Sequence, residues 1–183
     1  MKKALLFILL SAFALTSFAQ KEHLKFQGIP IDGSISSFNQ KVASKGWTYD
    51  SFLTKNAPMA CNVYKGKYFS REATMAAYYT TQTKTVFRVR VIINISTKST
   101  MESVADELKN LLKKKFENST LETTTSDEDY PLTIIYIPNA SGDTLVGAIS
   151  ILEKDYLSDY TLIIDFEDVI NSEKDSDEKL SDL

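Results

Sequence analysis

One stretch of this chain constrains its fold more than any other, because a strict strand pattern is followed directly by a strict helical pattern. From Thr85 to Ile95, apolar residues occupy every second position, which is the period of a strand with one buried face. From residue 100 to 117, apolar residues recur three and four positions apart, as in a helix with one buried stripe. A sheet face and a helix stripe of this kind cover each other, so we predict an α+β domain.

The same two patterns recur along the rest of the chain. Ser99 and Glu102 have the spacing of a capping box and predict the start of the second helix, and an earlier helical pattern runs from Ile35 to Lys45. Gly66 lies inside an extended segment and indicates a bulge. The remaining extended segments are predicted at 24–26, 47–49, 60–69, 73–80, 121–125, 132–137, 145–152 and 160–166.

The order of these elements predicts a single domain at 20–170, made of two units that each consist of a helix and an antiparallel meander. The units would cover residues 24–96 and 97–170 and share one twisted antiparallel sheet of six to eight strands, with the helices on one face. Residues 171–183 are rich in Ser, Asp, Glu and Lys, and we predict that they form a disordered acidic tail.

The N-terminus has the three parts of a secretory signal peptide. Lys2 and Lys3 are followed by an apolar run at 4–15 and by the small-x-small sequence 17–19. We predict cleavage before Gln20 and export to the periplasm or the extracellular space. Because Cys61 is the only cysteine, we expect no lipid anchor, and no later segment is apolar enough to span a membrane.

Composition narrows the possible partners and chemistry. Removal of the signal peptide and its two lysines changes the formal net charge from −3 to −5, which disfavours nucleic-acid binding. One His and one Cys cannot supply the ligands of a zinc site, and no glycine-rich phosphate loop is present. The acidic stretch 126–129 reads as a solvated turn. We therefore expect no metal and no cofactor. Cys61 is expected to be buried, and His23 to lie in a mobile N-terminus.

Two short motifs carry a resemblance. Residues 26–34, with the sequence Phe-Gln-Gly-Ile-Pro-Ile-Asp-Gly-Ser before the first helix, resemble the opening of small exported proteins of bacterial cell envelopes. Residues 64–69 are similar to the first hairpin of those proteins. The tandem of helix and meander also resembles the β-lactamase-inhibitor-like fold, and one half resembles outer-membrane assembly lipoproteins. The resemblance implies a non-enzymatic binding module whose open sheet face contacts a partner, and it transfers no individual functional residue.

The candidate binding residues are Tyr78, Arg88 and Arg90. If the apolar positions from Phe87 onward face the helices, both arginines face outward, and Tyr78 lies on the adjacent strand. Tyrosine and arginine are enriched in binding hot spots, although an exposed sheet face also carries long amphipathic side chains for solubility alone.

A catalytic alternative depends on carboxylates in the last predicted strand. Asp165 and Glu167 share one face there and could serve as the acid pair of a glycan hydrolase. On an outer strand the same pattern protects an exposed edge. We favour an exported, non-enzymatic binding module, monomeric or homodimeric, whose partner is a protein or a glycan. The alternatives are a secreted inhibitor of a partner enzyme and a carboxylate-based glycan hydrolase.

Overall fold

The computed structural model describes residues 22–156 and 159–181. The predicted signal peptide at 1–19, Gln20 and the last two residues of the predicted tail lie outside these ranges. The four described helices are α1 (Ile35–Ala43), α2 (Ser51–Lys55), α3 (Lys98–Lys115) and α4 (Val169–Ser181). The ten described strands are β1 (Lys25–Phe26), β2 (Ile29–Pro30), β3 (Thr48–Tyr49), β4 (Cys61–Tyr68), β5 (Arg71–Tyr79), β6 (Val86–Ile95), β7 (Thr120–Thr125), β8 (Pro131–Pro138), β9 (Leu145–Tyr156) and β10 (Asp159–Asp168).

Eight of these strands form one sheet, in which every pair of neighbours is antiparallel. The strand order is β3-β4-β5-β6-β10-β9-β8-β7, so β6 and β10 lie side by side at the centre. The β1–β2 hairpin forms a separate small sheet. The predicted α+β class with a mostly antiparallel sheet is therefore confirmed.

The core lies on one face of the large sheet, which we call the inner face. Alternate residues of β6 and β10, such as Val91 and Ile164, are fully buried there. They belong to one hydrophobic cluster with Phe38 of α1 and with Met101 and Leu108 of α3. Burial of each large apolar side chain contributes about 1.5–3 kcal/mol, so this cluster is the main source of stability. The alternate side chains point to the opposite face, which we call the outer face.

The start of α3 differs from the prediction. The capping box predicted at Ser99 and Glu102 does not begin the helix, because Thr97 is its N-cap. Thr97 has an extended backbone (φ −144°, ψ 151°), and its hydroxyl accepts a hydrogen bond from the Thr100 amide at 3.3 Å. Threonine is also a favoured N-cap residue, and its hydroxyl satisfies a free amide of the first turn, so the helix begins two residues earlier.

The alternation in β6 is interrupted near its first residues. The register shifts between Tyr78 and Tyr79, so Tyr79 pairs with Val86 whereas Tyr78 pairs with Arg88. Val86 consequently joins the core cluster, whereas Phe87 is buried outside it. We expected Phe87 to face the core. Because of the register shift, Val86 lies in the core cluster instead.

Gly66 does not mark a bulge, because the pairing of β4 with β5 runs through it without a shift. The reason for a glycine is the close approach of Trp47. A Cβ atom at position 66 would lie 2.7 Å from the Trp47 ring. The indole also donates a hydrogen bond from Nε1 to Gln27 at 3.0 Å, which holds the ring against the strand.

We predicted a disordered tail at 171–183, but helix α4 occupies most of that segment, so this prediction is wrong. Asp168 is fully buried and caps the helix by accepting the Asn171 amide at 3.0 Å. Asn171 is itself buried and donates to the Ile31 carbonyl at 2.9 Å. Glu178 accepts the amides of Gln82 and Thr83 in the β5–β6 turn. These long-range contacts outweigh the polar composition from which disorder was predicted. None of the described helices has the length and apolar character needed to cross a membrane.

Candidate functional site

The candidate site lies at the centre of the outer face, where β6 and β10 pair. Arg88 lies opposite Glu167 and Arg90 lies opposite Asp165. Because all four residues have the same phase along their strands, their side chains project from the same face of the sheet.

Two ion pairs connect the strands at this point. Arg90 donates from Nε to Asp165 Oδ1 at 2.8 Å and from Nη2 to Asp165 Oδ2 at 2.7 Å, which is a bidentate pair. Arg88 donates from Nε and Nη2 to Glu167 Oε2, at 3.1 and 2.6 Å. The second oxygen of Glu167 accepts the Ser172 hydroxyl of α4 at 2.6 Å.

The ion pairs hold the guanidinium groups in fixed positions. The hydrogen bond from Arg90 to Asp165 raises the pKa of the Arg90 guanidinium, against the opposing effect of burial. The Arg90 side chain is 35% exposed and the Asp165 side chain 16% exposed. A partner would therefore reach the guanidinium more readily than the carboxylate.

The structure brings the three predicted binding residues together. Tyr78 is the register partner of Arg88, and the Arg90 guanidinium carbon lies 6.0 Å from the centre of the Tyr78 ring. Burial raises the pKa of the Tyr78 hydroxyl, which stays protonated as a hydrogen-bond donor at neutral pH. The role of these residues in binding stays a prediction.

An apolar row next to the ion pairs was missed by the sequence analysis. It crosses four neighbouring strands in register and consists of half-exposed residues, namely Ile92, Ile163, Leu152 and Leu132. We refer to these four residues as the apolar row. Their spacing along each strand was visible in the sequence, but the neighbour relation of β6, β10, β9 and β8 was needed to align them.

Asp165 and Glu167 do not protect an outer edge, because β10 lies between β6 and β9. That interpretation is wrong, and the physical reason for the acidic pair is the pair of arginines opposite. In a glycoside hydrolase the two carboxylates flank the scissile bond. Here each carboxylate instead carries hydrogen bonds from a guanidinium group.

Cys61 lies beside Tyr78 on β4 and is free and buried, as expected. Burial raises the pKa of its thiol, which keeps it protonated and poorly nucleophilic. Among the described residues, no group of three or more His, Cys, Asp and Glu side chains could hold a metal ion.

A second region is an open cavity of about 390 Å³ at the C-terminal end of α3. His23 lines it and is not mobile, since its Nδ1 lies 3.0 Å from Asp168 Oδ2. Ser119 also lines it, and the Ser119 hydroxyl is buried with no hydrogen-bond partner among the described residues. The prediction that His23 lies in a mobile N-terminus is therefore wrong. The pairing was invisible in the sequence because Asp168 is 145 positions away.

Comparison of the chain with protein-family models, with curated proteins and with solved structures finds no match.

Proposed function

We propose that the protein is an exported, non-enzymatic binding module of the bacterial cell envelope, and that it binds a partner through the centre of the outer face. The observation that carries the proposal is the apolar row beside the Tyr78, Arg88 and Arg90 cluster. Partly buried Ile and Leu side chains in register form a continuous apolar strip beside charged residues, and a contiguous apolar patch with a polar rim is typical of interaction sites.

The ion pairs contribute to binding by fixing the arginines in advance. A guanidinium that is held by a carboxylate loses little side-chain entropy when a partner docks against it. Tyr78 supplies a rigid aromatic surface beside them. These properties favour a protein partner, and a glycan that stacks on Tyr78 is the alternative. A secreted inhibitor is the special case in which the protein partner is an enzyme.

We further propose that the domain consists of two units, at 24–96 and 97–170, each a helix followed by a meander. The strand order supports this arrangement. β3 to β6 are successive neighbours, and β7 to β10 are successive neighbours that join them through the β6–β10 pair. The helices α1 and α3 precede the two sets of strands. This arrangement is the basis of the resemblance to the β-lactamase-inhibitor-like fold.

The test uses two identical substitutions on different surfaces. Leu152→Glu introduces a charge into the apolar row, whereas Leu111→Glu introduces the same charge on the exposed side of α3, where Leu111 is 46% exposed. The mature protein, residues 20–183, and both variants of it serve as bait in envelope extract and on glycan arrays. We expect a stoichiometric partner that is lost in Leu152→Glu and retained in Leu111→Glu.

A second variant tests the arginines without leaving a carboxylate unpaired. The double exchange Arg90→Asp with Asp165→Arg preserves an ion pair but reverses its direction on the sheet. We expect this exchange to weaken binding while the unfolding temperature changes little. If both the exchange and Leu152→Glu bind as the wild type does, the outer face is not the binding surface.

A further inference from the structure

Strand β7 is the last strand at one edge of the large sheet. One side of β7 pairs with β8 along its six residues, and the other side has no neighbour among the described strands. All six residues are exposed, including Leu121 at 38%. An edge strand of this kind presents a row of free amide and carbonyl groups that can pair with another strand.

The features that usually prevent such pairing are missing from β7. It contains no proline and no lysine, and its register with β8 has no bulge. Its single charge is Glu122, which accepts a hydrogen bond from the Tyr136 hydroxyl at 3.3 Å. The opposite edge of the sheet, β3, is two residues long and leads directly into α2. The sheet is therefore open to extension at β7.

Charges at the two ends of β7 indicate what occupies the edge. Lys113 and Lys114 precede the strand at the end of α3, and Asp127 and Asp129 follow it in the turn to β8. These two lysines and two aspartates are exposed, and none has an ion pair with another described residue. Exposed Glu117 also precedes β7, but Lys115 offsets it, so that end of the strand stays net positive. If two copies of β7 pair antiparallel, the acidic end of each meets the basic end of the other. A parallel pairing would bring like charges together.

We propose that the protein forms a two-fold symmetric homodimer through antiparallel pairing of β7 with β7 of a second copy, which joins two eight-stranded sheets. The proposal does not depend on the binding function of the outer face. Five or six paired residues give a small interface, so the dimer is of the weak and reversible kind.

The register follows from hydrogen-bond geometry. The outward-pointing backbone groups belong to every second residue, so a symmetric antiparallel pair is centred on one residue. Centring on Glu122 would place two carboxylates directly opposite each other. Centring on Thr123 places Glu122 opposite Thr124 and Leu121 opposite Thr125, with no like charges opposed. A centre at Leu121 or Thr124 would pair only three residues of β7, so the Thr123-centred register is the favoured one.

Two cysteine variants of the mature protein, residues 20–183, test the register. In the proposed dimer, the two copies of Thr123 are directly opposite, with a Cα separation of about 4.5–5.5 Å, which a disulfide spans. The two copies of Thr125 are offset by about four residues, or roughly 13 Å, which is too far for a disulfide. Cys61 is buried and does not compete.

We expect Thr123→Cys to form a disulfide-linked dimer under mild oxidation and Thr125→Cys to remain monomeric. Sedimentation of the unmodified protein should show a dimer that weakens as salt rises, since the end charges are exposed. Lys113→Glu with Lys114→Glu should weaken it at low salt. Equal cross-linking of both cysteine variants, or a monomer at every concentration and salt, would overturn the proposal.

Discussion

Asp168 connects three parts of the chain. Removal of its carboxylate has an effect on stability that can be worked out from its contacts. The carboxylate is fully buried and accepts the backbone amides of Leu24 at 2.9 Å and Asn171 at 3.0 Å, both of which are buried. It also holds His23 Nδ1 at 3.0 Å. It therefore ties the N-terminal segment and the start of α4 to the end of β10.

Asp168→Ala would leave the two buried amides without an acceptor. Each unsatisfied buried group costs about 1–3 kcal/mol, so we expect the free energy of unfolding to fall by about 3 kcal/mol. For a chain of this size, that corresponds to a decrease of roughly 6–12 °C in Tm. Urea unfolding followed by circular dichroism measures the first quantity, and calorimetry measures the second.

Asp50→Ala is the matched control for this prediction. Asp50 caps α2, none of whose residues is buried, by accepting the Leu53 amide at 2.9 Å, and it also forms an ion pair with Lys65 at 2.8 Å. Because water can replace its oxygen, we expect a much smaller loss than in Asp168→Ala. If the two variants lose equal stability, burial of the Asp168 acceptor is not what stabilises the C-terminal helix.

Two further predictions concern buried aromatic residues. Gly66→Ala introduces a Cβ atom 2.7 Å from the Trp47 ring, so we expect the free energy of unfolding in urea to fall by about 1–3 kcal/mol. The Trp47 fluorescence should also shift. Unchanged emission would contradict the close contact. Burial raises the pKa of Tyr68 to about 12, above the value of about 10 in an unfolded chain, so the folded state binds the extra proton between these values. The contribution of Tyr68 to the free energy of unfolding, about 2–3 kcal/mol, should be fully present below pH 10 and be lost as the pH rises toward 12. In Tyr68→Phe, this part of the alkaline decrease should disappear, and an unchanged pH profile would refute the assignment.

Local patterns in the sequence predicted the elements that depend on local physics. The alternation in β6 and the apolar stripe of α3 determine both their type and the face that each buries. The α2 helix was missed because its five residues have no buried member and therefore no apolar stripe. The α4 helix was missed because its order depends on Asp168, Asn171 and Glu178, whose partners lie at distant positions in the chain.

The candidate site was predicted in part, for a similar reason. Arg88 and Arg90 could be assigned to one face because the period of a single strand determines it, whereas the place of Tyr78 beside them depends on the register of β5 with β6. The cavity at His23 and the apolar row could not be predicted, because each is assembled from segments that only the topology brings together.

The pairing of β6 with β10 is the one long-range feature whose signal was present in the sequence. Arg88 and Arg90 are two positions apart on one strand, and Asp165 and Glu167 are two positions apart on another. Two basic residues and two acidic residues with this spacing can form two ion pairs if the strands are neighbours. Both the parallel and the antiparallel direction would allow two such pairs. The antiparallel direction is selected because every other neighbour in the sheet is antiparallel and because it places Leu162 and Ile164 opposite Ile93 and Val91. Charge complementarity therefore indicates which strands pair, whereas the buried face determines how they align.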